Sequence, residues 1–301
     1  MKRSLVTFAG ILFGLYIVFS LLDYKGEYAV EQKMWAANQK YAQVVKDPQS
    51  VPDRTYEDLA RQYQKIIDQH PDSTLAPKAH MIMTSLYLVK KDYAVAREKA
   101  QEVFKKYPQN TEICAEAMSA IGKSYELARD WPNALKAYRE LINKYPMTEV
   151  GMNAPVYIAN YYAKNNMPSQ AQSAFNEAIL HFKDLEAAHA GTEIELNSLR
   201  LQANSYLFQK KWAEGIDAYG KILIRSATLN RLTPQQGLFL IKTINTLPGT
   251  QLKDYDTPIR IYKKFMAENP KHKLNQIMEG MIKTFEAMKS KKMEVSTPKE
   301  K

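Results

Sequence analysis

Four times along this 301-residue chain an aromatic residue that opens a helical stretch is followed fifteen residues later by proline: Tyr56 and Pro71, Tyr93 and Pro108, Trp131 and Pro146, Tyr255 and Pro270. Met167 and Trp212 begin the same pattern, with Phe182 and Ala227 where proline would stand. The starts lie 37, 38, 36, 45 and 43 residues apart. A unit of that size buries its apolar face by stacking on its neighbours, so the period predicts a helical solenoid.

Spacings inside the unit agree. Seven residues after the starts stand Tyr63, Ala100, Tyr138, Ala174, Tyr219 and Tyr262. Three or four after them stand Ala60, Ala96, Ala134, Ala171, Gly215 and Ile259. Offsets of 3, 4 and 7 share one helix face. Six residues before four starts comes tyrosine: Tyr87, Tyr125, Tyr161 and Tyr206. Each unit therefore reads as two helices, the second stopped by proline, which lacks an N–H and disfavours helix in the residue before it.

The third unit, with Ile121-Gly122, Tyr125, Ala134, Tyr138, Leu141 and Pro146, resembles the tetratricopeptide repeat family. The likeness extends over residues 56–270 and loosens around "KDLEAAHAGTEIE" and "SATLNRLTPQQG", where longer helices or loops are expected. It implies an all-α, right-handed superhelical solenoid. Gly122 and Ala134 would let paired helices approach closely, and Tyr125 and Tyr138 would fill gaps between neighbouring units.

"GIDAYGKI", residues 215–222, contains most of a phosphate-binding loop. Such a loop needs a strand before it, free backbone N–H groups and a Ser or Thr after the lysine. Here Ile222 follows the lysine, and Gly215 and Gly220 fall inside a second helix. Packing glycines are the reading, and no cofactor is expected. The five histidines, His70, His80, His181, His189 and His272, show no H-E-x-x-H or comparable ligand spacing. His70 and His181 hold the place of Tyr107 and Tyr145, as packing or capping residues. Trp35, Trp131 and Trp212 read as packing, and the lone Cys114 as a small buried thiol.

Residues 4–22, "SLVTFAGILFGLYIVFSLL", are uncharged and mostly apolar. As a helix they would span about 28 Å, one hydrocarbon core. No small-residue cleavage site and no lipoprotein cysteine follow, so a single transmembrane signal anchor is expected over a cleaved peptide. Lys2 and Arg3 precede the run, and Lys25 follows it among Asp23, Glu27 and Glu31. That asymmetry predicts a cytoplasmic N-terminus (residues 1–3) and a periplasmic body.

Residues 23–55 are expected to form a juxtamembrane helix and linker, the helix continuing from the anchor with Val30, Met34, Tyr41 and Val45 on its face. A capping helix is expected at 271–288, with Leu274, Ile277, Met278, Met281, Ile282 and Phe285 as its stripe, then a disordered basic tail at 289–301. The net charge of +10 is dispersed. Without a basic block interleaved with aromatics, nucleic acid is not an expected partner.

Helical solenoids of this kind capture proteins or peptides on the face lined by their first helices. Counting from the third unit, the groove residues are Lys78, Met81, Ser85, Glu116, Ser119, Lys123, Met152, Asn197, Arg200 and Asn204. The expected function is a membrane-anchored scaffold for protein–protein interaction in the cell envelope, similar to bacterial envelope proteins of this repeat family. A cytosol-facing adaptor and a helical cell-wall enzyme are the alternatives; no catalytic or metal-binding constellation supports the latter.

Overall fold

The computed structural model describes residues 26–247 and 254–296. The expected membrane span at 4–22 lies outside the described residues. Among the described residues there are thirteen helices and no strand, and no helix is long and apolar enough to cross a membrane. The helices are α1 (Glu27–Lys46), α2 (Asp53–Gln69), α3 (Ala76–Lys90), α4 (Tyr93–Lys106), α5 (Thr111–Leu127), α6 (Trp131–Lys144), α7 (Glu149–Lys164), α8 (Pro168–Ala188), α9 (Glu193–Phe208), α10 (Trp212–Thr228), α11 (Pro234–Leu247), α12 (Asp256–Glu268) and α13 (Asn275–Ser296). Two compact units divide them, Met1–Gly151 and Met152–Lys301. The division falls inside α7, one turn before Pro155, whose ring nitrogen has no hydrogen to give the Gly151 carbonyl.

One turn recurs between the first and second helix of a pair. Lys91, Arg129, Asn166 and Lys210 each adopt a left-handed conformation (φ 67, 64, 57 and 58) two residues before the second helix begins. The next N–H donates back to the carbonyl of Tyr87, Tyr125, Tyr162 or Tyr206, at 2.9 Å each time. This is the six-to-one closure of a Schellman-type helix end. The fourth turn corrects the sequence register by one residue. Its second helix starts at Pro168 rather than Met167, so Tyr162, not Tyr161, is the equivalent tyrosine, and Phe175, not Ala174, is the residue seven on. With that shift Ala96, Ala134, Ala171 and Gly215 all stand three residues after the start.

Side-chain caps fix where several helices begin. Asp92, Asn110 and Asp130 accept hydrogen bonds from the N–H groups of Val95, Ile113 and Asn133; each such cap contributes about 1 kcal/mol. The prolines stop second helices as expected. His70, Tyr107, Tyr145 and Asn269, each just before a proline, share φ near −130 and donate to the carbonyl four residues back. His181, expected at such an end, instead lies within α8, which runs on to Ala188.

In the first unit each of α1–α5 packs on the helix that follows it, and α1–α3 and α3–α5 also touch. Val30, Met34, Ala37 and Val44 of α1 are buried with Tyr56, Tyr63 and Leu86. Val44 therefore takes the place expected for Val45, which is 44% exposed. Trp35, expected to pack, is 67% exposed. Gly26 is extended (φ −77, ψ 165), so α1 starts at Glu27 and does not continue a helix through Gly26. Arg97 of α4 lies 4.4 Å over the Tyr125 ring of α5, filling the space between successive pairs. Cys114 is buried and its thiol donates to the Tyr107 carbonyl.

In the second unit the core runs from Leu199 through Ile216, Leu223, Ile244, Tyr262 and Phe265 to Met278 and Phe285. Full burial of aliphatic side chains such as these stabilises by about 1.5–3 kcal/mol each. Helix α13 packs on α12, and its Met278, Ile282 and Phe285 are buried together with Leu274 just before it, while Ile277 of the expected stripe is 39% exposed. It extends to Ser296, so residues 289–296, expected to be disordered, are helical. Gly215 and Gly220 lie buried inside α10, as packing glycines should.

Candidate functional site

The ten sequence-selected residues fall on first helices of both units, and each unit presents its own surface. In the first unit Lys78 is exposed on α3, and Glu116 is exposed on α5. Although part of its surface is open to solvent, desolvation by the surrounding helix surface raises the Glu116 carboxyl above its ordinary value, with Glu112 adding to the effect and Lys78 opposing it. Ser85 is half-buried near the Tyr41 side chain. Ser119 is half-buried. Lys123 lies 3.0 Å from Glu126, which also accepts from the Tyr138 hydroxyl at 3.0 Å. Met81 is not on this surface. It is buried with Ala100, Val103, Ile113 and Ala117.

In the second unit Met152 is likewise a core residue, packed with Ala178, Phe182, Leu185 and Leu201. Both methionines fail as groove residues for one reason. A first helix contacts its own partner and neighbouring pairs, so more than half its circumference is enclosed. Helix α3 buries Ala76, Ala79, His80, Met81, Met83, Thr84 and Leu86.

Asn197, Arg200 and Asn204 do come together, along one side of α9. They line a cleft of about 490 Å³ completed by Tyr219 and Ile222 of α10 and by Leu232, Gln236, Phe239 and Leu240. Local sequence explains each wall. Gly215 lets α9 and α10 approach, since a Cβ there would stand 2.6 Å from Leu207 Cδ2. Glu195, 4% exposed, ties α9 to α10 by accepting from both Arg225 Nε and Nη2, and it also accepts from the Gly191 N–H. These bonds, the Arg225 ones foremost, hold its carboxyl below the usual glutamate range.

The third wall depends on a turn. Asn230 is left-handed (φ 54), and the Arg231 N–H donates to the Ser226 carbonyl at 2.8 Å, ending α10. Thr233 and Gln236 then form a reciprocal capping box: Thr233 Oγ1 accepts from the Gln236 N–H at 3.2 Å, and Gln236 Oε1 accepts from the Thr233 N–H at 3.1 Å. This start puts Gly237, Leu240, Ile241 and Ile244 in the core and leaves Leu238 and Phe239 51% and 61% exposed.

Inside the cleft the Tyr219 hydroxyl donates to Asn204 Oδ1 at 3.2 Å. Burial raises the phenol's pKa, which keeps it a donor. Arg200 is exposed and reaches Asn197 Oδ1 at 3.5 Å, too far for a strong bond. Arg231 pairs with Glu193 at 3.3 Å. The cleft therefore offers an apolar floor, an exposed guanidinium and two side-chain amides. That is the equipment for holding an extended or helical peptide by an apolar side chain and a neighbouring carbonyl or carboxylate. Sequence reading assigned Tyr219 to packing alone and missed Phe239. The available signal was "GLFL" at 237–240, two more apolar residues than one helix face requires.

Residues 116–146, spanning most of α5 and all of α6, match the family model described as tetratricopeptide repeat. No curated protein matches the sequence. Among solved structures, the chain is similar to the TPR2AB domain of yeast Sti1 in a complex described as TPR2AB-domain:pHSP90, with 11% identity and a TM-score of 0.34, over 87% of this chain and 100% of that one. It is also similar to BtubC (BKLC) from P. vanneervenii, with 10% identity and a TM-score of 0.38, over 91% of this chain and 95% of that one. Likeness at those scores carries no argument about function. The matched segment holds the unit with Gly122, Tyr125, Ala134 and Tyr138 at the family's spacings.

Proposed function

We propose that this chain is a helical-repeat scaffold that binds a protein partner, anchored to the inner membrane by residues 4–22 with its repeats in the periplasm. The tetratricopeptide match at 116–146 and the recurring turn at Lys91, Arg129, Asn166 and Lys210 support the scaffold reading. One observation carries the binding reading. Arg200, Asn197 and Asn204, chosen from repeat spacing alone, line one cleft with Tyr219 and the exposed Phe239. The positive charge at the N-terminus and the uncharged apolar run after it support the anchor and its orientation.

A photo-crosslinking residue placed at position 239 tests the binding site, with position 183 on the exposed side of α8 as control. The reading requires a protein adduct at 239 that is absent at 183 and is lost on Arg200→Glu. Equal capture at both positions contradicts it. Orientation is tested separately. A cysteine-reactive, membrane-impermeant label should reach Ser290→Cys in intact spheroplasts, and protection until lysis would favour the cytosol-facing adaptor.

A further inference from the structure

Helix α1 has two unlike sides. Val30, Met34, Ala37 and Val44 are buried among residues of α2 and α3. The opposite side carries Tyr28 and Trp35, 57% and 67% exposed. Seven residues at 100° each put these rings within about 20° of one another around the helix and about 10 Å apart along it. Glu31, three residues after Tyr28 and four before Trp35, is an exposed charge beside the two rings, and Gln39, Ala42 and Lys46 continue the line to a second charge at its far end. Single exposed apolar residues are ordinary on a protein surface. Here two large rings, each with a polar tip, are aligned on a face that none of the described residues of the first unit covers.

The chain that leads into this face is the apolar run ending at Leu22, four residues before Gly26. A helix running straight on along the membrane normal would carry Trp35 about 20 Å beyond Leu22, clear of the headgroups. Gly26 is extended, however, so α1 takes its own direction. Lying along the surface, α1 keeps Tyr28 and Trp35 at headgroup depth, where phenol and indole bury their rings and leave the O–H and N–H in water.

We propose that the Tyr28–Trp35 face of α1 rests in the interface of a lipid bilayer and seats the first helix pairs against the membrane. This rests on the reading of residues 4–22 as an anchor.

Trp35 can be observed directly. The chain has three tryptophans and none lies before Trp35; Trp131 and Trp212 are half-buried. Full-length protein is reconstituted in phosphatidylcholine vesicles containing a phosphatidylcholine with a nitroxide near the acyl carbonyl. The lipid nitroxide should quench one tryptophan's share of the emission. Trp35→Phe should abolish that quenching while helix content and resistance to carbonate extraction stay as in the parent. If protein that stays in the carbonate-resistant fraction is not quenched by the lipid nitroxide, the proposal is overturned and the anchor stands. Acrylamide then distinguishes the cause: access means that Trp35 faces water, and protection means that protein, such as a second copy, covers it. Carbonate extraction of the parent overturns the anchor and the proposal together.

Discussion

Gly122 of α5 lies against the ring of Tyr138 in α6, so close that a Cβ on Gly122 would stand 2.6 Å from Tyr138 Cε1. The ring cannot retreat without loss, because Tyr138 is buried and its hydroxyl donates to Glu126. Gly122→Ala should therefore destabilise by about 1–3 kcal/mol through overpacking, despite the helix-propensity gain. Urea unfolding measures it. Stability equal to or above the parent's would show that the α5–α6 contact is looser than described.

Gly215 makes the contrasting case. A Cβ there would meet Leu207 Cδ2 at 2.6 Å, but that atom is the far end of a flexible, half-buried side chain. The rotamer can move, and alanine gains roughly 0.5–1 kcal/mol over glycine in a helix interior. Gly215→Ala is expected to fall within about 1 kcal/mol of the parent, well short of the loss at Gly122. A loss as large as that of Gly122→Ala would mean that Leu207 is locked.

These two glycines also mark how far the sequence could be read. Their places, Gly122 in a first helix and Gly215 in a second, followed from the repeat pattern, because small residues recur wherever helices must close up. The period likewise brought Asn197, Arg200 and Asn204 to one cleft. It could not reveal that α8 starts one residue late, because Met167 imitates an aromatic start and Pro168 can open a helix. Met81 and Met152 were misplaced because periodicity gives a residue's angle on its helix and not how many neighbours enclose it. Trp35 was misjudged because a large aromatic suggests core, yet α1 has no partner on its outer side among the described residues. Phe239 needed the Thr233–Gln236 cap, which sets the rotation of α11.

His80 gives a test in solution. It is fully buried, with Tyr107 edge-on at 5.9 Å, Glu102 Oε2 3.4 Å from Nε2, and Lys99 and Lys106 nearby. Burial pushes its pKa down to about 4 from 6.5, against the pull of Glu102. The unfolded chain then binds the proton at a higher pH than the folded one. The stability contribution is present above pH 6.5 and is lost as pH falls from there through 4. His80→Leu should flatten the pH dependence of unfolding in that window. An unchanged slope would show that His80 does not titrate as a buried group.

Glu195 acts at lower pH. Its folded pKa lies below the ordinary 4.5, so the stability it contributes is present above that value and is lost as pH falls through the folded pKa. Glu195→Gln keeps the shape and removes the charge. A fully buried pair would lose about 3–5 kcal/mol. Arg225 is 36% exposed, so about 1–3 kcal/mol is expected here. The variant should also lose part of its stability's dependence on pH below 4.5. Thermal unfolding at neutral pH and in acid checks both points.

The most direct test of the scaffold account is the affinity of the protein crosslinked at position 239. Phe239→Ala and Arg200→Glu should each weaken binding at least about tenfold, or about 1.4 kcal/mol. The charge reversal should matter most at low salt. Lys136→Glu, on the exposed side of α6, should leave affinity unchanged, and circular dichroism should be the same for all three variants. Parent-like affinity in both cleft variants with helix content intact would contradict the claim that this cleft holds the partner.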